Sequence, residues 1–115
     1  MRTVEGKKSM ASDLVVAFVT TSNLAEAKKI AEKVVEEKLA ACVNIIPTVQ
    51  SVYRWQGAVE SATESKLIIK TTRPMVESLI ETISGLHSYD VCEVTVLPII
   101  SGNVDYLNWV IENVG

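Results

Sequence analysis

The chain has 115 residues, of which 48% are apolar and 22% are charged, a composition typical of one globular domain with a hydrophobic core. Eleven Lys and Arg against 14 Asp and Glu give a net charge of −3, and the basic residues are scattered along the chain. Because the basic residues are scattered and fewer than the acidic ones, they argue against a nucleic-acid partner. No apolar run approaches the ~20 residues that a membrane-spanning helix needs, so we predict no membrane span.

The amino-terminal residues MRTVEGKKSM carry positive charge but are not followed by the apolar core and small-residue cleavage site of a signal peptide. We therefore predict a flexible tail over residues 1–13 and one domain over residues 14–115. Cys42 and Cys92 form no CxxC pair, as expected of free thiols in a reducing compartment. These features together predict a cytoplasmic protein.

The first predicted elements are a strand and an amphipathic helix. The β-branched apolar run LVVAFVT (14–20) is typical of a buried strand. Asn23 is a predicted N-cap, with Glu26 at the spacing of a capping box. The apolar residues that follow recur at helical spacing and predict a helix packed on one side: Leu24, Ala27, Ile30, Ala31, Val34, Val35 and Leu39.

Two long extended segments, 41–56 and 58–72, meet at the turn signal Gln56-Gly57 and predict a β-hairpin. At ~3.3 Å per residue, about fourteen extended residues reach about 46 Å. A compact domain of ~100 residues has a radius of gyration of only about 13 Å. Unless Pro47 bends it sharply, the hairpin overhangs its own domain, and its exposed edges predict association with further copies of the chain.

The second half predicts a helix, a strand and a terminal helix. Pro74 suits the first turn of the helix, residues 91–100 form the predicted strand, and Asn103 is positioned to cap a helix over DYLNWVIENV (105–114). The order is then β-α-β-β-α-β plus a carboxyl-terminal helix. This order predicts an α+β, ferredoxin-like fold with both crossover helices on one face of an antiparallel sheet and the other face open.

Several segments together resemble the CutA divalent-cation tolerance protein family. They are EKLAACVNIIP (37–47), SVYRWQG (51–57), ESKLIIKTT (64–72), His87-x-Tyr89-x-x-x-Glu93, LPI (97–99) and GNVDYLNWV (102–110). The resemblance implies a homotrimer similar to PII signalling proteins, with the hairpins forming sheets between subunits. It also implies a role in copper and divalent-cation tolerance.

The resemblance does not extend to every site residue. The family usually has His-Pro-Tyr-x-x-Pro-Glu where this chain has His87-Ser-Tyr-Asp-Val-Cys-Glu93. Some bacterial members have a cysteine and a second histidine where this chain has Val19 and Leu86. A copper site built from those groups therefore does not transfer intact.

The predicted metal ligands are His87, Cys92 and Glu93, a nitrogen, sulfur and oxygen set that suits copper or zinc. In a strand over 91–100, Cys92 and Glu93 point to opposite faces, so we expect weak copper binding shared across a subunit interface rather than a tight site within one subunit. The alternative is that His87 hydrogen-bonds at a helix end and Cys92 fills a small apolar volume.

A second candidate site is a cleft between subunits. Tyr53 and Trp55 share one face near the hairpin tip, although such aromatics more often serve packing. Lys66, Lys70 and Tyr89 are further candidates for this cleft. The sequence also contains candidate catalytic acids and bases, but no catalytic motif accompanies them, which argues against an enzyme. These candidates are Glu64, Lys66, Lys70, His87, Tyr89 and Glu93.

The sequence therefore predicts a non-enzymatic homotrimer for divalent-cation tolerance with modest copper binding. The alternative is a PII-like signalling or scaffolding trimer that binds a small ligand or a partner protein in its subunit clefts.

Overall fold

The computed structural model describes residues 13–115, so the predicted tail over residues 1–13 lies outside the described residues except for Asp13. The elements in chain order are β1 (Leu14–Thr21), α1 (Leu24–Glu36), β2 (Cys42–Trp55), β3 (Ala58–Thr72), α2 (Val76–Leu86), β4 (Val94–Pro98) and α3 (Val104–Glu112). A single 3₁₀ turn, Arg73–Met75, precedes α2 and contains Pro74. None of the described helices is long and apolar enough to cross a membrane.

The four strands form one antiparallel sheet in the order β2-β3-β1-β4. Alternate residues of β1 and β3 face α1 and α2, and the side chains between them are almost fully buried. This arrangement confirms the predicted ferredoxin-like α+β fold. The core consists mainly of Ala17, Val19, Leu67 and Ile69 from the sheet and Ala27, Ile30, Val34, Leu79 and Ile83 from the helices.

Both predicted asparagine caps are confirmed. The Glu26 backbone N–H donates to Asn23 Oδ1 at 2.8 Å, and the Asp105 backbone N–H donates to Asn103 Oδ1 at 3.0 Å. Each bond satisfies a backbone donor that has no partner within its helix. The positions of these caps fix where α1 and α3 begin.

The hairpin extends beyond the helices that cover the sheet, as its length predicts. The chain measures 53 × 25 × 22 Å and has a radius of gyration of 15.5 Å, above the ~13 Å of a compact domain of similar size. Val52 and Val59, in the outer part of the hairpin, are 72% and 68% exposed. At Pro47 the ladder shifts register between Ile46 and Val49 but the hairpin continues.

The last strand is shorter than the sequence predicts. Residues 91–93 and 99–100 lie outside β4, which covers only Val94–Pro98 and pairs with residues 15–19 of β1. The predicted strand over 91–100 is therefore wrong at both ends. The expectation that Cys92 and Glu93 point to opposite faces of a strand does not apply, because both belong to the loop that precedes β4.

Candidate functional site

A cleft of about 670 Å³ opens where the end of β1, the outer part of the β2–β3 hairpin and the α2–β4 loop meet. The loop is residues 87–93. Three segments distant in the sequence thus form one concave surface, as is usual for small-molecule sites. The lining residues are Thr20, Ser51, Tyr53, Trp55, Glu64, Tyr89, Asp90, Val91, Cys92 and Glu93.

The hairpin residues that line the cleft lie on one face of the β2–β3 ribbon, because side chains alternate along a strand. Ser51, Tyr53 and Trp55 are two residues apart, so their side chains share a face of β2. The β3 residue Glu64 is paired with Val49 in the same alternation and faces the same side. Tyr53 and Trp55 are 42% and 57% exposed, which leaves their rings accessible within the cleft.

A hydrogen bond joins the loop to the hairpin. The Tyr89 hydroxyl donates to Glu64 Oε2 at 2.7 Å, and Glu64 is only 8% exposed. Burial, this hydrogen bond and the negative charges of Glu64 and Glu26 all raise the pKa of Tyr89 above its ordinary value. Tyr89 is therefore a neutral donor at physiological pH, and its ring is fixed at the wall of the cleft.

His87 lies beneath the cleft with its side chain fully buried. The Tyr89 backbone N–H donates to His87 Nδ1 at 3.0 Å, and His87 Nε2 is 2.7 Å from the Thr20 carbonyl oxygen. Because Nδ1 accepts a hydrogen bond, the ring proton belongs on Nε2, which donates to Thr20. Both ring nitrogens take part in hydrogen bonds, so His87 offers no free lone pair to a metal ion in this arrangement.

Glu93 and Cys92 occupy the other wall. Glu93 accepts hydrogen bonds from the hydroxyls of Thr20 at 2.6 Å and Thr95 at 2.8 Å, and its Oε1 is 3.7 Å from Lys66 Nζ. Burial would raise the pKa of Glu93, but these hydroxyls and Lys66 hold it below its ordinary value. Cys92 is half-buried against the core, with its Sγ 3.9 Å from Ser84 Oγ.

The two predicted lysines lie at different distances from the cleft. Both face the open side of the sheet, as their spacing of four predicts, because Lys66 pairs with Thr20 and Lys70 with Val16. Lys66 reaches Glu93 at the edge of the cleft, whereas the Lys70 amine donates to Asn44 and is not among the lining residues.

Within one chain the structure brings together Tyr53, Trp55, Tyr89, Cys92 and Glu93, but not as a metal centre. Among residues 13–115, no group of three or more His, Cys, Asp and Glu side chains is arranged to hold a metal ion. The set of His87, Cys92 and Glu93 therefore remains a prediction that depends on further ligands or on movement of the His87 ring.

Sequence reasoning missed five lining residues as members of a binding site: Thr20, Ser51, Glu64, Asp90 and Val91. Glu64 stands out in the sequence only as one acid among many. The two-residue spacing of Glu64 and Lys66 shows that they share a face of β3. That Glu64 also shares a face with Tyr53 and Trp55 depends on the register shift at Pro47. Thr20 joins the site only because the loop folds back onto the end of β1.

Proteins from distant organisms resemble this chain. The chloroplastic CutA protein of Arabidopsis thaliana is 47% identical over 109 residues, which are 95% of this chain and 59% of the relative. The divalent-cation tolerance protein CutA of Thermus thermophilus is 46% identical over 100 residues, covering 87% of this chain and 97% of the relative. This chain thus spans about three-fifths of the plant protein's length and nearly all of the bacterial one.

Solved structures show the same fold. The Thermus thermophilus structure superposes with a TM-score of 0.87 at 45% identity, covering 89% of this chain and 99% of its own. The Archaeoglobus fulgidus CutA structure superposes with a TM-score of 0.86 at 34% identity, covering 89% and 99%. Both are described as divalent cation tolerance proteins.

The predicted cytoplasmic location is contradicted by these relatives. The Arabidopsis thaliana and Oryza sativa proteins are named chloroplastic, and the Archaeoglobus fulgidus protein is described as periplasmic. The same domain therefore occurs in proteins assigned to different compartments. A missing signal-like pattern and two unpaired cysteines were insufficient grounds for the cytoplasm.

The family assignment rests on nearly the whole domain. The model of the family described as CutA1 divalent ion tolerance protein matches residues 15–113, from the first strand to the end of the last helix. This range includes every segment on which the sequence resemblance depends, and the fold agrees with the solved structures. The chain therefore belongs to the CutA1 divalent ion tolerance protein family.

Proposed function

We propose that this protein acts in divalent-cation tolerance as a non-enzymatic homotrimer that binds a small ligand in the cleft beside the outer part of its hairpin. The family assignment supports the tolerance role. The overhanging hairpin, with apolar side chains such as Val52 and Val59 exposed, supports association between copies of the chain.

The observation that carries the ligand-binding activity is the cleft itself. Three aromatic rings remain accessible around a volume of about 670 Å³, and a nearly buried carboxylate, Glu64, is held in place by Tyr89. Apolar walls with a few oriented polar groups are the usual composition of small-molecule sites. The PII-like alternative predicted from the sequence thus has the stronger geometric support.

A fluorescence titration tests this activity. The chain has two tryptophans, so Trp109→Phe leaves Trp55 as the reporter at the cleft. In this variant, a panel of metabolites of positive, negative and neutral charge is expected to include at least one compound that changes Trp55 emission saturably. The same compound should give no saturable change in Trp109 emission when Trp55 is replaced by Phe. If no compound of the panel changed Trp55 emission, this result would contradict a ligand-binding cleft.

Weak copper binding is the second candidate, because the Cys92 thiol and the Glu93 carboxylate line the same cleft. A soft sulfur and an oxygen ligand suit copper, and a neighbouring subunit would have to supply the remaining ligands. His87 joins such a site only if one ring nitrogen gives up its hydrogen bond to Thr20 or Tyr89.

Copper titration against a competing chelator separates the contributions of Cys92 and His87 to copper binding. We expect Cys92→Ser to weaken copper binding by about tenfold or more, since it removes a principal ligand. Loss of affinity in His87→Ala, with the fold intact by circular dichroism, would add His87 to the site. Equal affinity of wild type and Cys92→Ser would contradict copper binding at the cleft.

A further inference from the structure

We infer that the ligand of this cleft is a small organic cation, an ammonium group on an apolar body, bound between the aromatic rings and the carboxylates. This inference rests on the proposed ligand-binding function and specifies its chemistry. It follows from the charge of the lining residues, from the aromatic groups between them and from the way Glu64 is held.

The charged residues that line the cleft are all acidic. Glu64, Asp90 and Glu93 contribute carboxylates, and within the described part of the chain no lysine or arginine lines the cleft. Lys66 offsets Glu93 from the edge, at 3.7 Å. Among residues 13–115 the Asp90 side chain has no hydrogen bond or ion pair, and it is exposed to an incoming ligand. An anionic ligand would meet net repulsion from this chain.

Two basic residues lie near the cleft, and one of them, Lys66, contacts a lining carboxylate. Arg54 lies between Tyr53 and Trp55 in β2, so strand alternation places it on the opposite face of the ribbon. Lys66 Nζ lies 5.4 Å from the centre of the Phe18 ring, on the open face of the sheet, as well as beside Glu93. Lys66 therefore offsets one of the three lining carboxylates, and the cleft keeps a net negative charge.

The aromatic rings select the kind of cation. Tyr53, Trp55 and Tyr89 are each exposed by between 37% and 57%. Tryptophan and tyrosine faces attract cations through their quadrupoles, and this attraction is strongest for cations that carry little hydration, such as alkylated ammonium groups. Rings contribute nothing comparable to a small hydrated metal ion, which prefers oxygen, nitrogen or sulfur ligands.

Glu64 presents a nearly buried carboxylate to the cleft. It is only 8% exposed, and the Tyr89 hydroxyl donates to its Oε2 at 2.7 Å. A carboxylate that is largely withdrawn from water attracts a cation more strongly than an exposed one, because fewer water molecules screen it. Asp90, at the open side, adds a second attractive group.

The test uses benzyltrimethylammonium, its uncharged carbon analogue neopentylbenzene and the anion phenylphosphonate, each titrated into the 115-residue Trp109→Phe protein. We expect saturable change of Trp55 emission with the ammonium compound and at least about tenfold weaker response to the other two. Asp90→Asn and Glu64→Gln are each expected to weaken binding of the ammonium compound by about three- to tenfold. Glu81→Gln, which removes an exposed carboxylate from α2, is the matched control and should leave it unchanged.

The outcomes separate the inference from the function on which it rests. Binding of phenylphosphonate in preference to the ammonium compound would overturn the cationic ligand but leave a ligand-binding cleft. Equal response to the ammonium compound and to neopentylbenzene would also overturn it, since charge would then be irrelevant. Asp90 is exposed, so Asp90→Asn gives an answer even if Glu64→Gln fails to fold. No response to any of the three, together with silence across the metabolite panel, would remove both proposals.

Discussion

At the scale of single residues, Glu26 connects two parts of the chain that are 62 positions apart. Its Oε1 accepts a hydrogen bond from the Ser22 backbone N–H at 2.9 Å, and its Oε2 accepts one from the Ser88 backbone N–H at 2.7 Å. Burial would raise the pKa of Glu26, but these bonds overcome it and lower the pKa to about 2. The carboxylate thus holds the loop of the cleft against the start of α1.

Glu26 is expected to make stability depend on acid pH. Its pKa is lower in the folded protein, about 2, than its ordinary value of 4.5. The ionised carboxylate therefore contributes stability above pH 4.5 that is lost as the pH falls through about 2. We expect Glu26→Gln to lower the free energy of unfolding at pH 7 by about 1–2 kcal/mol and to flatten its decline between these values. Urea unfolding at several pH values, with Glu81→Gln as control, measures this; parallel pH profiles of wild type and Glu26→Gln would contradict it.

His87 is expected to matter for stability whether or not it meets a metal. Its fully buried ring accepts from the Tyr89 N–H and donates to the Thr20 carbonyl, so His87→Ala removes two hydrogen bonds and leaves a cavity. We expect a loss of about 2–4 kcal/mol in chelator-treated protein. Ser88→Ala, which keeps the backbone N–H that Glu26 binds, should cost less than about 1 kcal/mol. Similar unfolding midpoints for both variants would show that the ring is not structural.

At the scale of elements, local signals predicted most of the fold. Asn23 and Asn103 predicted where two helices begin, and Gln56-Gly57 predicted the hairpin turn, because each of these signals acts within a few residues. The ends of β4 were predicted wrongly because they depend on where its tertiary pairing with β1 begins and ends. The cleft was predicted only in part, since Glu64 and Thr20 reach it through tertiary pairing that no short window of sequence contains.

The hairpin turn gives a prediction of its own. Gln56 and Gly57 both have positive φ, 49° and 82°, as a two-residue type I′ turn requires. Gly57→Ala is expected to destabilise the protein by about 1–2 kcal/mol because a Cβ is strained at this φ. Gln56→Asn is expected to raise the melting temperature, since asparagine tolerates the left-handed region better. Thermal unfolding checks both changes, and a lower melting temperature for Gln56→Asn would contradict this account of the turn.

At the scale of the whole molecule, the shape favours assembly. The outer hairpin has no helix covering it, and it exposes Val52 and Val59 on one face and Tyr53 and Trp55 on the other. A ribbon with apolar side chains on both faces gains from contact with neighbouring copies. The homotrimer that the family resemblance implies would provide such contacts.

Light scattering checks the assembly. We expect the 115-residue protein to have three times the 12.6 kDa mass of one chain. Val52→Asp combined with Val59→Asp should shift the protein towards the monomer, because two carboxylates would be buried in the contact. Ser78→Asp, which adds a carboxylate on the outer side of α2, should leave the mass unchanged. A monomeric wild type, or a trimeric double variant, would contradict the proposed role of the hairpin.

The register shift at Pro47 has a consequence for how the hairpin opens. Proline has no N–H to donate, and the ladder resumes only at Val49 paired with Glu64, so the outer hairpin is hydrogen-bonded separately from the part that lies under the helices. Amide protons between residues 49 and 63 should therefore exchange with solvent as a group, well before those of β1. The aromatic wall of the cleft lies in this group. Slow exchange of these amide protons would therefore indicate that neighbouring subunits cover the outer hairpin.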